Sequence, residues 1–197
     1  MMLNSNSARL PTNFGLFEIH SYLFNPADQP DLALVTHDFN QTENVLVRIH
    51  SECLTGDVFG STRCDCGFQL HQSLIEIQKA GGILIYLRQE GRGIGLHHKI
   101  SAYRYQDDGM DTVEANQVLG YEADLRDYSH AVNILNEFNI KSVRLISNNP
   151  GKSSFLKDHG ILVSEMIPMI KPKDVDNEYY LDTKRDKLGH ILPKSQL

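Results

Sequence analysis

The sequence predicts an α/β protein: a mixed sheet flanked by helices, with antiparallel strands at its N-terminal end. Three patterns carry that expectation. Short strand-like runs with turn-formers between them occupy the first fifty residues, the apolar period then changes to that of a helix, and helical stripes thereafter alternate with buried apolar runs. With 197 residues, 41% of them apolar, the chain can bury one sizeable core, and no repeat or Pro/Gly/Ser-rich linker divides it. A single domain over 1–197 is expected.

Taken in order, "GLFEIHSY", "LALVTH" and "VLVRIH" read as strands, and "NPADQPD" as a turn. In "VLVRIH" the side chains of Val45, Val47 and Ile49 point one way and those of Leu46, Arg48 and His50 the other, so a polar face, continued by Glu52, runs into Cys53. Leu70, Leu74 and Ile77 then have helical spacing, "GGILIYL" reads as a buried strand, and Leu96, Ile100 and Tyr103 form a second helical stripe. Tyr128, Val132 and Leu135 form a third, ahead of the strand-like "SVRLIS". A helix over 153–159 and the strand "ILVSEMI" complete the expected elements.

The balance of 19 basic against 25 acidic side chains, a net charge of -6, excludes a general affinity for nucleic acid, so an anionic ligand must be met by locally placed Arg and Lys. No apolar run approaches the roughly 18 residues needed to cross a bilayer, and "MMLNSNSARLPTNFG" lacks a secretory core. A cytoplasmic protein without a membrane partner is expected. In that reducing compartment clustered cysteines point to a metal site or to reactive thiols.

Cys53, Cys64 and Cys66, the three cysteines of the chain, follow a C-x10-C-x-C pattern that can supply three thiolates to zinc. Three readings follow from the residues: a redox pair at Cys64 and Cys66, a structural site closed by His50 or His71, or a site left open for water. Three thiolates on a divalent cation leave about -1 net charge, so bound water needs help from its surroundings to become acidic. Asp65 and Gly67 are consistent with a forced turn around the metal.

Two loops suit phosphate. "YLRQEGRGIGLHHK" lies where a strand ends and a helix begins; its Gly91, Gly93 and Gly95 give G-x-G-x-G rather than the dinucleotide fingerprint, and they are interleaved with Arg88, Glu90 and Arg92. "LISNNPGKSS" ends like a P-loop, but Ile146 stands where that motif needs glycine, leaving Ser147 and Lys152 as phosphate ligands and Ser153 as a cap. "EADLRDY" places Asp124 and Arg126 ahead of a helix, where charged residues commonly cap or are solvated.

Together "RIHSECLTGDVFGSTRCDCGFQL", "YLRQEGRGIGL", "DTVEAN", "LRDY", "SNNPGK" and "YYLDTKRDKLGH" resemble, in order and spacing, the successive motifs of GTP cyclohydrolase II, from "LPTNFG" onward. The resemblance implies hydrolysis of GTP to formate, diphosphate and a diaminopyrimidinone ribosylamino phosphate, the first step of riboflavin biosynthesis. It implies one Zn2+ per chain on Cys53, Cys64 and Cys66, with water attacking C8 of guanine, and Mg2+ with the triphosphate. It places Arg48, Ile49, His50, Ser51, Glu52, Gln69, Glu90, Gly91, Arg92, Thr112, Ser147 and Lys152 at GTP-contacting positions.

By the same matching Asp124 is a proton acceptor, Arg126 attacks the α phosphorus, and Tyr103 completes ring opening. A guanidinium with a pKa above about 12 is a poor nucleophile, so a clamp on the transition-state charge is an equal role for Arg126. Glu90 and Glu114 are candidates for the guanine edge. A homodimer is implied, without the fused dihydroxybutanone phosphate synthase domain of some relatives. The chain departs from the pattern at Ser147, Gly151, His97 and His98, which leaves room for a paralogue that stops at a formamidopyrimidine or serves another pathway. A guanine-nucleotide sensor with structural zinc is the reading from a different class; a deaminase is disfavoured because H-x-E with P-C-x-x-C is missing.

Overall fold

The computed structural model describes residues 4–172 and 176–193. Seven strands, β1 (Asn4–Thr12), β2 (Gly15–Leu23), β3 (Asp31–Thr36), β4 (Val45–Ser51), β5 (Gly82–Leu87), β6 (Ser142–Ile146) and β7 (Leu162–Ile167), form one sheet in the order β1-β2-β3-β5-β4-β6-β7. β1, β2 and β3 are an antiparallel meander, β5 pairs antiparallel with β3, and β5, β4, β6 and β7 run parallel. The expected mixed sheet with antiparallel N-terminal strands is therefore present.

β1 is an addition to the sequence reading. Its residues are mostly exposed and polar, so no alternation announces it; it exists because a tight turn pairs it with β2 along its length. The Thr12 hydroxyl accepts from Phe14 N (3.0 Å) and donates to Gly15 O (2.8 Å), fixing that turn.

The helices are α1 (Leu54–Asp57), α2 (Cys66–Ala80), α3 (Gly95–Asp107), α4 (Thr112–Val118), α5 (Ser129–Glu137), α6 (Pro150–Asp158) and α7 (Glu178–Asp186). α2 lays Leu74 and Ile77 against Phe17, Leu46, Leu84 and Ile146 on one face of the sheet. α5 lays Ala131, Val132, Ile134 and Leu135 against Val45, Val47, Ile49, Ile83 and Ile85 on the other. Alternate residues of β4 and β5 thus serve two cores, which is the period-2 split read from "VLVRIH".

Two expectations are corrected. The stripe Leu96–Ile100–Tyr103 is not core: Leu96 and Ile100 are 37% and 50% exposed, and the buried residues of α3 are Lys99 and Ala102. α3 covers a polar cleft rather than the sheet, so its inward face is not its apolar one. The helix expected over 153–159 starts at Pro150, which has no N–H to leave unpaired there, and Asn149 caps it by accepting Gly151 N at 2.9 Å. Ser153 is an interior, buried residue of that helix.

β4 lies between β5 and β6, so the chain leaves it on one side and later returns on the other. A crevice opens at such a switch point beyond the carboxyl ends of the strands. Ser51, Leu87 and Ile146 end these three strands, and the sequence-predicted loops follow directly. No helix among the described residues is long and apolar enough to cross a membrane.

Candidate active site

The crevice is an open cleft at the carboxyl ends of β4, β5 and β6. It gathers Arg48, His50, Ser51, Glu52, Gln69, Glu90, Gly91, Arg92, Thr112, Ser147, Lys152, Tyr103, Arg126 and all three cysteines. Two expected site residues are not in its lining. Ile49 points its side chain into the core and offers only its carbonyl, which accepts Lys152 Nζ at 2.7 Å. Asp124 stands behind Arg126, holding it.

The cysteine end is built by the joint between β4, α1 and the start of α2. The three Sγ atoms lie within 4.8 Å of one another, with Cys53 and Cys64 3.7 Å apart. Tetrahedral zinc with bonds of about 2.3 Å requires sulfurs about 3.8 Å apart, so the trio fits that ion. Gly56 makes the space: a Cβ there would lie 2.9 Å from Cys64 Sγ and 3.2 Å from Cys53 Sγ. Gly67 lets α2 begin against α1, since its Cβ would fall 2.2 Å from Gly56 O.

Neither histidine completes a four-ligand protein cage. His50 Nε2 is 3.0 Å from both oxygens of Asp57, and the His71 ring packs against Phe14 at 5.2 Å. Among the described residues the ligand group is the three cysteines alone. The three cysteines line the cleft, and neither His50 nor His71 is joined to them there.

Two neighbours of the sulfurs were not singled out from sequence. Lys99 Nζ donates to Cys53 Sγ (3.1 Å) and to Glu90 Oε1 (2.8 Å). Burial disfavours its charge, yet the Cys53 sulfur, Tyr103 and Glu90 together hold the ammonium above its ordinary value. Glu90 in turn accepts Leu54 N (2.6 Å) and Gly91 N (2.7 Å), which leaves its carboxylate committed to protein donors. As free thiols the trio behaves unequally: hydrogen bonds from Cys64 and Cys66, with help from Lys99, keep Cys53 ionised, while Cys64 is pushed up to about 11.

Asp57 is the second. It accepts His50 Nε2, Tyr86 OH (2.9 Å) and Cys53 N (3.0 Å), tying the first ligand to two strands. Burial lowers the pKa of His50 despite that carboxylate. Helical or turn spacing carries both signals: Lys99 precedes Tyr103 by four residues, and Asp57 follows Cys53 by four. Glu52 turns from the polar face of β4 to Arg88 (2.7 Å), while Tyr103 OH meets Thr55 Oγ1 (3.1 Å) beside the sulfurs.

The opposite end is cationic. Gly91, Arg92 and Gly93 all take left-handed backbone (φ 62, 60 and 94), a conformation that costs a non-glycine residue about 1 kcal/mol or more. This turn buries both Nη atoms of Arg92 without a hydrogen-bond partner among the described residues. Lys152, buried beside Arg48, Arg126 and Lys184, is pushed well below its ordinary pKa, first by burial and then by those charges. Unpartnered buried N–H groups among several cations call for an anion.

Arg126 makes a two-pronged pair with Asp124, Nε to Oδ1 at 2.8 Å and Nη2 to Oδ2 at 2.5 Å. Burial opposes its charge, but Asp124 outweighs it and keeps the guanidinium protonated; reciprocally, Asp124 is held below the usual carboxylate range although burial pulls it up. Asp65, 1% exposed, is no solvated loop residue: it accepts Lys184 Nζ (2.6 Å) and Gln69 Nε2 (2.7 Å), and Gln69 Oε1 accepts Arg48 Nη2 (2.7 Å).

Thr112 opens α4 behind the Asp111–Glu114 capping box. Glu114, considered for the guanine edge, is spent in that box and on Lys187 (3.0 Å), outside the cleft. His97 and His98 also lie outside its lining, His98 bonded to Ile94 O (3.0 Å) and Tyr121 (3.3 Å). Gly151 is exposed.

A crevice at the ends of parallel strands, lined by a cluster of three cysteines and by several buried cations, marks an α/β protein with an enzyme-like site. The family model for GTP cyclohydrolase II matches residues 4–168, and the chain belongs to that family. It is 51% identical over 184 residues to the riboflavin biosynthesis protein RibBA of Bacillus mycoides (strain KBAB4), and equally so to that of Bacillus cereus (strain B4264). Each match covers 93% of this chain and 46% of the relative, so the chain spans about half the length of these curated relatives. A solved structure of RibBX, a two-domain 3,4-dihydroxy-2-butanone 4-phosphate synthase from A. baumannii, matches 85% of this chain and 40% of its own at 16% identity, with a TM-score of 0.44.

Proposed function

We propose that the protein hydrolyses GTP at C8 of guanine, releasing formate and diphosphate, as the first step of riboflavin biosynthesis. The observation that carries this reading is one cleft with three sulfurs spaced for zinc at one end and the buried, partnerless Nη atoms of Arg92 at the other. Cys53, Cys64 and Cys66 would hold the zinc, which supplies Lewis-acid activation of water. Mg2+ accompanies the triphosphate, because diphosphate is a highly charged leaving group. Homodimerisation and a cytoplasmic location belong to the same reading and rest on the family resemblance.

The residues of the chain divide the work by position. Arg92, Lys152 and Ser147 receive the phosphates, and Arg48, held by Gln69 and Ile146 O, adds fixed positive charge beneath them. Arg126 acts as a clamp on the charge that develops at the α phosphorus. Its pairing with Asp124 supports this role, since both groups are held charged and neither is free to act as nucleophile or base. Tyr103 donates a proton during ring opening in this reading; its hydroxyl, 3.1 Å from Thr55 Oγ1 in the cleft, supports that role. The Lys99–Glu90 pair offsets part of the thiolate charge.

Incubation with GTP, zinc and magnesium should yield formate and diphosphate; GTP left intact by the zinc-loaded protein would refute the proposal. Cys64→Ser should abolish zinc binding and ring opening together. Labelled GTP under single-turnover conditions should leave no covalent guanylyl adduct, and trapping one would overturn the clamp.

A further inference from the structure

The block "YYLDTKRDKLGH" contributes to the family resemblance, yet none of its residues has a role assigned from sequence, and the family-model match ends at residue 168. The structure folds this block over the cleft. α7 and the residues after it bridge three separate loops: Lys184 Nζ reaches Asp65 Oδ1 in the cysteine loop, Ile191 N donates to Asn148 O (2.8 Å) after β6, and Lys187 pairs with Asp111 before α4. Lys184 O accepts His190 N (3.0 Å), turning the chain so that Tyr180, Lys184 and His190 all face the pocket.

What His190 meets there is mainly positive charge. Lys184, Arg126 and Lys152 surround it, with Asp65 the opposing carboxylate, and its ring makes no hydrogen bond to the described residues. Burial first, and then those cations, push its pKa down to about 3, so the imidazole is neutral and keeps an N–H to donate. Tyr180 supports the same wall, its ring 4.6 Å from Lys184 Nζ and 6.0 Å from the guanidinium of Arg92. An imidazole without a protein partner, ringed by the side chains that receive phosphate, is placed to complete the phosphate shell.

We propose that the segment 178–191 walls the phosphate end of the nucleotide site and that His190 contacts the triphosphate directly. The inference rests on GTP being the ligand. The test uses the zinc-loaded full chain, a non-hydrolysable GTP analogue and guanosine, with His190→Ala and His190→Gln. Analogue affinity should fall about tenfold in the alanine variant, the worth of one hydrogen bond to a charged group, and recover in part with glutamine. Guanosine affinity should not move, and kcat/KM should fall mainly through KM. In the unmutated protein the analogue should slow amide hydrogen exchange across 178–191.

Unchanged analogue affinity in both variants, or exchange in the segment indifferent to the analogue, overturns the inference while GTP turnover still stands. A wild-type protein that neither binds the analogue nor turns over GTP overturns the GTP reading and this inference with it. His190 is part-exposed, so neither variant removes core packing, and the exchange measurement needs no variant at all.

Discussion

Replacing Lys99 by methionine keeps the aliphatic stem and removes the ammonium that bridges Cys53 and Glu90. The pair lies 2.8 Å apart with side chains 11% and 9% exposed, so solvent screens it little. Breaking one partner from a buried pair costs about 3–5 kcal/mol. Glu90 would retain the N–H groups of Leu54 and Gly91, which places the expected loss at the lower end, about 3 kcal/mol. Zinc affinity should fall about tenfold as well, since Cys53 loses a donor that stabilises its thiolate. Urea unfolding of chelator-treated protein measures the first effect and chelator competition the second. Lys99→Met combined with Glu90→Gln should cost less than the sum of the single changes, because no buried charge is then left alone. Stability within about 0.5 kcal/mol of the parent and unaltered zinc affinity would refute the electrostatic reasoning.

Gly56→Ala should lower zinc affinity more than about tenfold, because its Cβ would collide with Cys64 Sγ; zinc content after dialysis checks this. Ile49→Ala should cost about 3 kcal/mol in denaturant unfolding while leaving KM for GTP nearly unchanged, since its side chain packs the core and only its carbonyl faces Lys152. His50 is held neutral by burial, so its folded pKa lies below the unfolded value of about 6.5 and the unfolded chain binds the proton first as pH falls. Its contribution is fully present above about pH 6.5 and is lost below it at up to about 1.4 kcal/mol per pH unit. Urea midpoints that fail to drop between pH 7 and 5 would contradict this.

Where apolar period and tertiary packing agree, the elements were legible. β4 declares its two faces because each meets a different core, and α2 and α5 declare theirs because each packs on the sheet. β1 gave no such signal, since an exposed edge strand is held by backbone pairing rather than by alternation. α3 misleads for the complementary reason: the face it buries carries Lys99, so its most apolar stripe is partly in solvent.

The three-cysteine cluster was legible because cysteine is rare in the chain, and the glycine-rich loop that lines the cleft because glycine and arginine interleave. Lys99 and Asp57 were not, because a charged residue in a sequence is ordinarily solvated. Only the fold shows that Lys99 is enclosed beside the Cys53 sulfur and Asp57 beside the Cys53 backbone.

The two ends of the cleft differ in sign. Thiolates gather where β4 meets α2, and guanidinium and ammonium groups gather beside β6 and α7. For the proposed nucleotide this asymmetry would exert a torque before contact, drawing its phosphates toward the end that carries Arg126, Lys152 and Lys184. Under the proposed function the purine would thereby be turned toward the sulfurs, with a field contribution to orientation that weakens as salt rises.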